Sequence, residues 1–138
     1  MGKMRYKFLE HTADIKFIAF GSSLEGAFEN SAIAMFKAMY NDKVKTKIKK
    51  KIMVKGNNLE SLLYNFLEEL LFLLDSTNFF ASKLKVKIDK SKMLLESVVF
   101  GDNASNYKIS LQVKAVTYNE MIIKKIKGKW MCQVVLDV

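Results

Sequence analysis

The chain has 138 residues, of which 50% are hydrophobic and 12% aromatic, and this content argues against intrinsic disorder. The length fits one domain, which we assign to residues 1–138. The net charge of +9 favours acidic partners such as nucleic acid or the acidic face of a protein, although solubility alone could also explain it. Arg5 is the only arginine, which weighs against a specific reader of bases.

Alternating apolar residues predict two short strands near the start, at residues 6–8 and 15–19. A helix is predicted to follow, with Ser22 and Glu25 at the spacing of a capping box. Its apolar residues recur at helical spacing, and it is expected to end near Tyr40.

The lysine-rich segment 44–55 alternates with apolar residues and predicts a half-exposed edge strand. A second helix follows, for which Asn57 and Glu60 have the capping spacing. Leu59 to Leu74 form a wide apolar face, and this is the clearest helix in the sequence.

The remainder is predicted to be β structure. The predicted strands cover residues 83–88, 94–100, 109–117, 121–126 and 130–136. The last two flank Lys127-Gly128-Lys129, which is typical of a hairpin turn. This order predicts an α+β fold in which two helices pack on one mostly antiparallel sheet.

The single cysteine, Cys132, excludes an intrachain disulfide and lies in an apolar run, so we expect it in the core. No signal pattern is seen at the start, and the longest apolar stretch is too short to cross a bilayer. We therefore expect a cytoplasmic protein with no membrane partner.

Catalysis finds little support in the sequence. His11 is the only histidine, so any Ser-His-Asp or Cys-His arrangement would have to include it, and no serine sits in a glycine elbow. There is no P-loop or G-x-G-x-x-G motif, and one Cys with one His cannot form a tetrahedral zinc site. The sequence predicts a protein that is not an enzyme.

Acidic groups near the two ends of the chain suggest a cation site. Asp14 closes the first turn, and Asp137 precedes the terminal carboxylate of Val138. Oxygen ligands of this kind suit calcium or magnesium, and clustered carboxylates repel unless a cation neutralises them. The alternative is that Asp14 only ends a turn and the C-terminus frays. Lys114, on the polar side of a predicted strand, would ordinarily be a solvated surface lysine.

Five strings along the chain together resemble the archease family. They are Tyr6-Lys7-Phe8-Leu9-Glu10-His11-Thr12-Ala13-Asp14, Leu24-Glu25-Gly26-Ala27-Phe28-Glu29-Asn30, Leu67-Glu68-Glu69-Leu70-Leu71, Val113-Lys114-Ala115-Val116-Thr117-Tyr118 and Val134-Val135-Leu136-Asp137-Val138. The resemblance runs in order from near residue 5 to the last residue. Its first and last strings are specific in combination.

The resemblance implies a small cytosolic α+β protein that assists the RtcB-type tRNA-splicing ligase, promoting its guanylylation and repeated turnover. It also implies a divalent cation, calcium in the familiar cases, held by Asp14, Asp137 and Val138. Lys114 is implicated in function by the same resemblance, whereas the role of His11 stays uncertain. Archeases are also described as chaperone-like modulators, including for tRNA methylation.

One position departs from the family pattern, because Asn119 stands where histidine is common. Asparagine cannot take a proton near neutral pH, so no role is carried over to it. Two hypotheses therefore remain: a non-enzymatic ligase activator, and a chaperone-like or tRNA-binding modulator of a tRNA-modifying enzyme such as a methyltransferase.

Overall fold

The chain folds into two antiparallel sheets and two helices, as seen in a computed structural model that describes residues 4–10 and 13–138. The helices are α1 (Leu24–Met39) and α2 (Leu59–Thr77). The strands are β1 (Tyr6–Leu9), β2 (Ile15–Gly21), β3 (Ile48–Lys55), β4 (Phe79–Asp89), β5 (Leu94–Asn103), β6 (Ala115–Ile126) and β7 (Lys129–Asp137), and a short 3-10 helix covers Ala104–Asn106. The predicted α+β class is confirmed.

The strands form two sheets rather than the single sheet that the sequence predicted. The first sheet has the order β1-β2-β7-β6 and the second the order β3-β5-β4, with every pairing antiparallel. Helix α1 packs on β2, β7 and β4, while α2 packs on β6, β3 and β4. Because both helices contact both sheets, they form the shared apolar layer of the core.

The N-cap of helix α1 lies one residue later than predicted. The hydroxyl of Ser23, not Ser22, accepts a hydrogen bond from the Gly26 N–H at 3.0 Å. Ser23 has extended backbone angles, which allow its side chain to reach the first turn. The helix ends at Met39, beside the predicted Tyr40.

Helix α2 is also capped one residue later than predicted. The side chain of Asn58 accepts from the Ser61 N–H at 2.8 Å, and the Asn58 N–H donates to the Ser61 hydroxyl at 3.1 Å. This reciprocal capping box replaces the predicted pair of Asn57 and Glu60. Neither helix in the described part of the chain is long and apolar enough to cross a membrane.

Residues 109–114, predicted as the start of a strand, lie outside the ladders. The Ser110 N–H donates to the Met39 carbonyl at 3.0 Å, and the Ser110 hydroxyl contacts the same oxygen at 3.2 Å. Ser110 therefore satisfies a carbonyl of the last turn of α1. The rest of that predicted strand, residues 115–117, and the predicted strand 121–126 belong to one strand, β6, whose register shifts between Thr117 and Ile122.

The β6–β7 hairpin is confirmed. Lys127 and Gly128 both have positive φ angles, 49° and 79°, as a tight turn matching the twist of the two strands requires.

Cys132 lies fully buried on β7, as predicted. Burial raises the pKa of its thiol to about 12, while a hydrogen bond with Ser31 acts in the opposite direction. A thiol in this state is a core residue and not a nucleophile.

Each helix contributes one carboxylate to an outer strand. Glu29 of α1 accepts from the Val86 N–H of β4 at 2.7 Å, and Glu68 of α2 accepts from the Val116 N–H of β6 at 2.7 Å. Both strands are at sheet edges, where outward N–H groups have no ladder partner. The two carboxylates therefore tie the helices to these edges.

Candidate functional site

The candidate site lies where β2 begins and β7 ends. Ile15 pairs with Leu136 across these antiparallel strands, so the next position outward sets Asp14 opposite Asp137. Asp14 is half-buried and Asp137 is exposed. Like charges directly opposite each other on neighbouring strands are destabilising, and a cation bound near both would offset that repulsion.

Lys114 lies beside this end of β7. Its backbone N–H donates to the Asp137 carbonyl at 2.8 Å, and the next residue, Ala115, pairs with Asp137. One further step along this register sets Lys114 opposite Val138. The backbone thus brings Asp14, Asp137, Val138 and Lys114 to one end of three adjacent strands.

The residues after Lys114 are fixed by two further hydrogen bonds. The Val116 N–H donates to Glu68 of α2, and the Thr117 hydroxyl donates to the Val135 carbonyl at 2.9 Å. These bonds tie the start of β6 to a helix on one side and to β7 on the other. The position of Lys114 is therefore set by its neighbours on both sides.

Asp14 also lines a groove of about 420 Å³ between the first turn and the end of α1. Glu10, Lys37 and Asn41 line the same groove, whereas Asp137 does not. In the ranges 4–10 and 13–138, no group of three or more His, Cys, Asp or Glu side chains could hold a metal ion. A site here would therefore need oxygen donors beyond the Asp14 and Asp137 side chains.

The chemistry of these donors fits a hard cation. The donors at these strand ends are carboxylate oxygens, and backbone carbonyls and water complete such sites in other proteins. The same donor set does not fit a structural zinc ion, which is held by sulfur and nitrogen in tetrahedral geometry.

The sequence profile of the archease protein family (MTH1598/TM1083) matches residues 6–138, from the start of β1 to Val138. The chain belongs to the archease family. The match includes both halves of the candidate site, Asp14 and Asp137.

Archease relatives match along nearly their full length. The protein archease of Pyrococcus abyssi is 41% identical over 140 residues, covering 97% of this chain and 99% of that protein. The protein archease of Sulfolobus acidocaldarius is 39% identical over 137 residues, with the same coverage.

Two solved structures share the archease fold. The solution structure of Methanobacterium thermoautotrophicum protein 1598 superposes with a TM-score of 0.82 at 34% identity, covering 97% of this chain and 99% of that one. The crystal structure of an archease from Thermotoga maritima, described as a possible chaperone, gives a TM-score of 0.65 at 21% identity and full coverage of both chains. The second likeness shows the fold alone.

Two further residues were singled out in the sequence. His11 lies outside the described residues, so its predicted role stays a prediction. Asn119 is exposed on β6, and its N–H donates to the Thr117 hydroxyl at 3.3 Å.

Glu68 and Glu10 are site residues that the sequence reasoning did not assign. Glu68 lies in one of the strings typical of archeases, but nothing in its spacing says that it accepts a bond from β6. Glu10 directly precedes His11, and its place in the groove with Asp14 depends on how the first turn meets α1. In the sequence, Glu10 is marked only by its position next to the His11-to-Asp14 segment.

Proposed function

We propose that this chain is a non-enzymatic activator of an RtcB-type RNA ligase, which promotes ligase guanylylation and repeated turnover in tRNA splicing. In this proposal Asp14, Asp137 and the carboxylate of Val138 hold a divalent cation, with calcium the first candidate. Lys114 lies beside that cation and adds its positive charge to the surface that would contact the ligase.

The observation that carries the proposal is the pairing of Ile15 with Leu136, from which Asp14 follows opposite Asp137. Two carboxylates opposite each other on adjacent strands repel, and a cation bound near both would offset that repulsion. The exposed position of Asp137 leaves that end of the sheet open to another molecule. Membership of the archease family supports the ligase as that molecule.

An activator must bind one state of its partner more tightly than another. A cation at an exposed strand end can contribute to this selectivity, because its charge would add to the electrostatics of a partner site that handles phosphates. The chain needs no catalytic group of its own for this action. It would favour the guanylylated ligase by binding it.

The test is a multiple-turnover RNA ligation assay with the purified ligase and the single variants Asp14→Asn, Asp137→Asn and Lys114→Gln. The two Asp→Asn changes keep side-chain size and remove charge, and Lys114→Gln removes charge with a somewhat shorter polar side chain. We expect each variant to lose most of the activation while the ligase alone keeps its basal rate. Asp75→Asn, which removes an exposed carboxylate near the end of α2, is the matched control and should activate like the wild type.

A second candidate is a chaperone-like role, favoured by the exposed apolar side chains of Met4, Phe8 and Phe72, which are 61%, 46% and 59% exposed. The same assay separates the two roles. One outcome would favour the chaperone-like role over a cation site at Asp14 and Asp137. In that outcome all three charge variants activate as well as the wild type, and replacement of Phe8 and Phe72 by serine abolishes activation.

A further inference from the structure

The outer surface of the second sheet carries an ordered array of lysines. Along β4, Lys83, Lys85 and Lys87 are exposed, and Leu84 and Val86 between them are buried. Along β3, Lys49 and Lys51 are exposed, while Ile52 is buried. The exposed residues therefore point away from the helices. We call the set Lys49, Lys51, Lys83, Lys85 and Lys87 the lysine face.

Strand register arranges this face in rows across the sheet. Lys83, Phe100 and Lys49 form one row, and Lys85, Val98 and Lys51 form the next. The third row holds Lys87, Glu96 and Met53. Each of the first two rows thus has a lysine at both sides and an apolar side chain of β5 in the centre.

Strand geometry gives the spacings of the lysine face. Successive outward residues on one strand are about 6.8 Å apart, and lysines on β3 and β4 are separated by about 9.6 Å because β5 lies between them. The interval along each strand is comparable to that between successive phosphates of an extended nucleic acid strand. The two lysine lines are therefore spaced to follow a phosphate backbone.

Few acidic groups lie near the lysine face in the described part of the chain. Among the residues that the structure describes, none of the five lysines lies within ion-pair distance of a carboxylate, and Glu96 is the only acid in these three rows. A shallow groove of about 440 Å³ crosses the face and is lined by Lys51, Met53, Lys85, Lys87, Glu96 and Val98. Lysines lie at its sides, and the central strand β5 contributes both the apolar Val98 and the carboxylate of Glu96.

We propose that the lysine face binds a single-stranded polynucleotide. The backbone would cross the first two rows, so that its phosphates reach lysines of both β3 and β4, and unstacked bases would rest on Val98 and Phe100 between those lysines. Basic grooves combined with ring-bearing platforms are how proteins bind single strands without reading sequence. Lysine suits this purpose as a point charge for phosphate, whereas specific base recognition would call for arginine. The inference goes beyond the ligase proposal, because it needs no ligase and uses neither Asp14 nor Asp137.

The experiment is fluorescence anisotropy of a labelled uridine oligomer of about 12 nucleotides with the full chain, at two or more salt concentrations. We expect salt-sensitive binding, with a slope of about −0.7 in log affinity against log salt for each phosphate contacted. The variant Lys51→Gln/Lys85→Gln, which removes the middle row, should weaken binding about fivefold and reduce the slope by about 1.4. A DNA oligomer of the same length should bind similarly, since the lysines contact phosphate alone.

Lys124→Gln/Lys127→Gln is the matched control, because it removes the same charge from β6 and its hairpin turn in the other sheet. Equal weakening by both double variants would overturn the proposal, because it would mean that overall charge alone attracts the oligomer. A polyglutamate peptide of equal charge that binds as tightly as the oligomer would also overturn it, and would identify an acidic protein as the partner. Phe100→Leu keeps an apolar side chain without the ring, and a loss of oligomer affinity with unchanged peptide affinity would support contact with bases.

Discussion

At the scale of single residues, Glu68 is the side chain that fixes the start of β6 from outside the sheet. Its carboxylate accepts from the N–H of Val116, which is 2% exposed and therefore has little access to water. Lys114 is two residues away, so the same bond helps to hold the candidate site. A buried N–H that loses its acceptor carries the full cost of its desolvation.

Glu68→Ala should therefore lower the free energy of unfolding by about 1–3 kcal/mol. The matched control is Glu69→Ala, which removes the adjacent half-buried carboxylate and should change stability by less than about 0.5 kcal/mol. Chemical denaturation of both variants measures the difference. Equal losses would show that the bond to Val116 contributes nothing specific.

Residue types and motif order were enough to predict Asp14, Asp137, Val138 and Lys114, and the structure brings their backbones together. Whether they hold a cation stays a prediction. Glu68 could not be found this way, because a carboxylate that accepts from a strand on another element leaves no mark in local spacing. The same holds for Glu10, whose neighbours in the groove come from α1.

At the scale of elements, the helices were predictable from periodicity, but their caps were each misplaced by one residue. Apolar spacing predicts which residues of a helix face the core, but it does not predict which residue caps the helix. Two adjacent polar residues precede each helix, and either could be the cap. The choice between Asn57 and Asn58 depends on backbone angles. Asn58 is extended and its side chain reaches the Ser61 N–H.

Asn58→Ala should accordingly cost about 0.5–2 kcal/mol of stability. Asn57→Ala is the matched control and should be close to neutral, because the bond at that position is made by its backbone N–H. Thermal unfolding of the two variants decides between the caps. A larger loss for Asn57→Ala would return the cap to the residue that the sequence predicted.

The segment 109–114 shows where alternation alone misleads. Its residues alternate like a strand, yet Ser110 is bonded to the end of α1. The alternation predicts which side of the segment is apolar. It does not predict which groups form hydrogen bonds with the backbone of the segment. Met39 is far away in sequence, and its carbonyl becomes the partner of Ser110 only when this segment lies against the end of α1.

At the scale of the whole molecule, the net charge of +9 is divided between surfaces of different character. The lysine face belongs to the second sheet. The acidic end, by which we mean Asp14, Asp137 and Val138, belongs to the first sheet. Composition gave the total charge, and the alternation of lysines suggested exposed strands. The sequence did not predict that the strands divide into two sheets, because this division depends on how both helices pack on the strands. The two surfaces could therefore not be assigned to separate sheets in advance.

The central claim is that the acidic end of the first sheet binds a divalent cation, and calcium titration calorimetry of the full chain tests it most directly. We predict one site whose affinity falls about tenfold or more in Asp14→Asn and in Asp137→Asn, with Asp75→Asn unchanged. Two glycines added after Val138 should weaken binding as well, because they move the terminal carboxylate away. Equal calcium affinity in the wild type and in both site variants, or no detectable binding by the wild type, would contradict the claim.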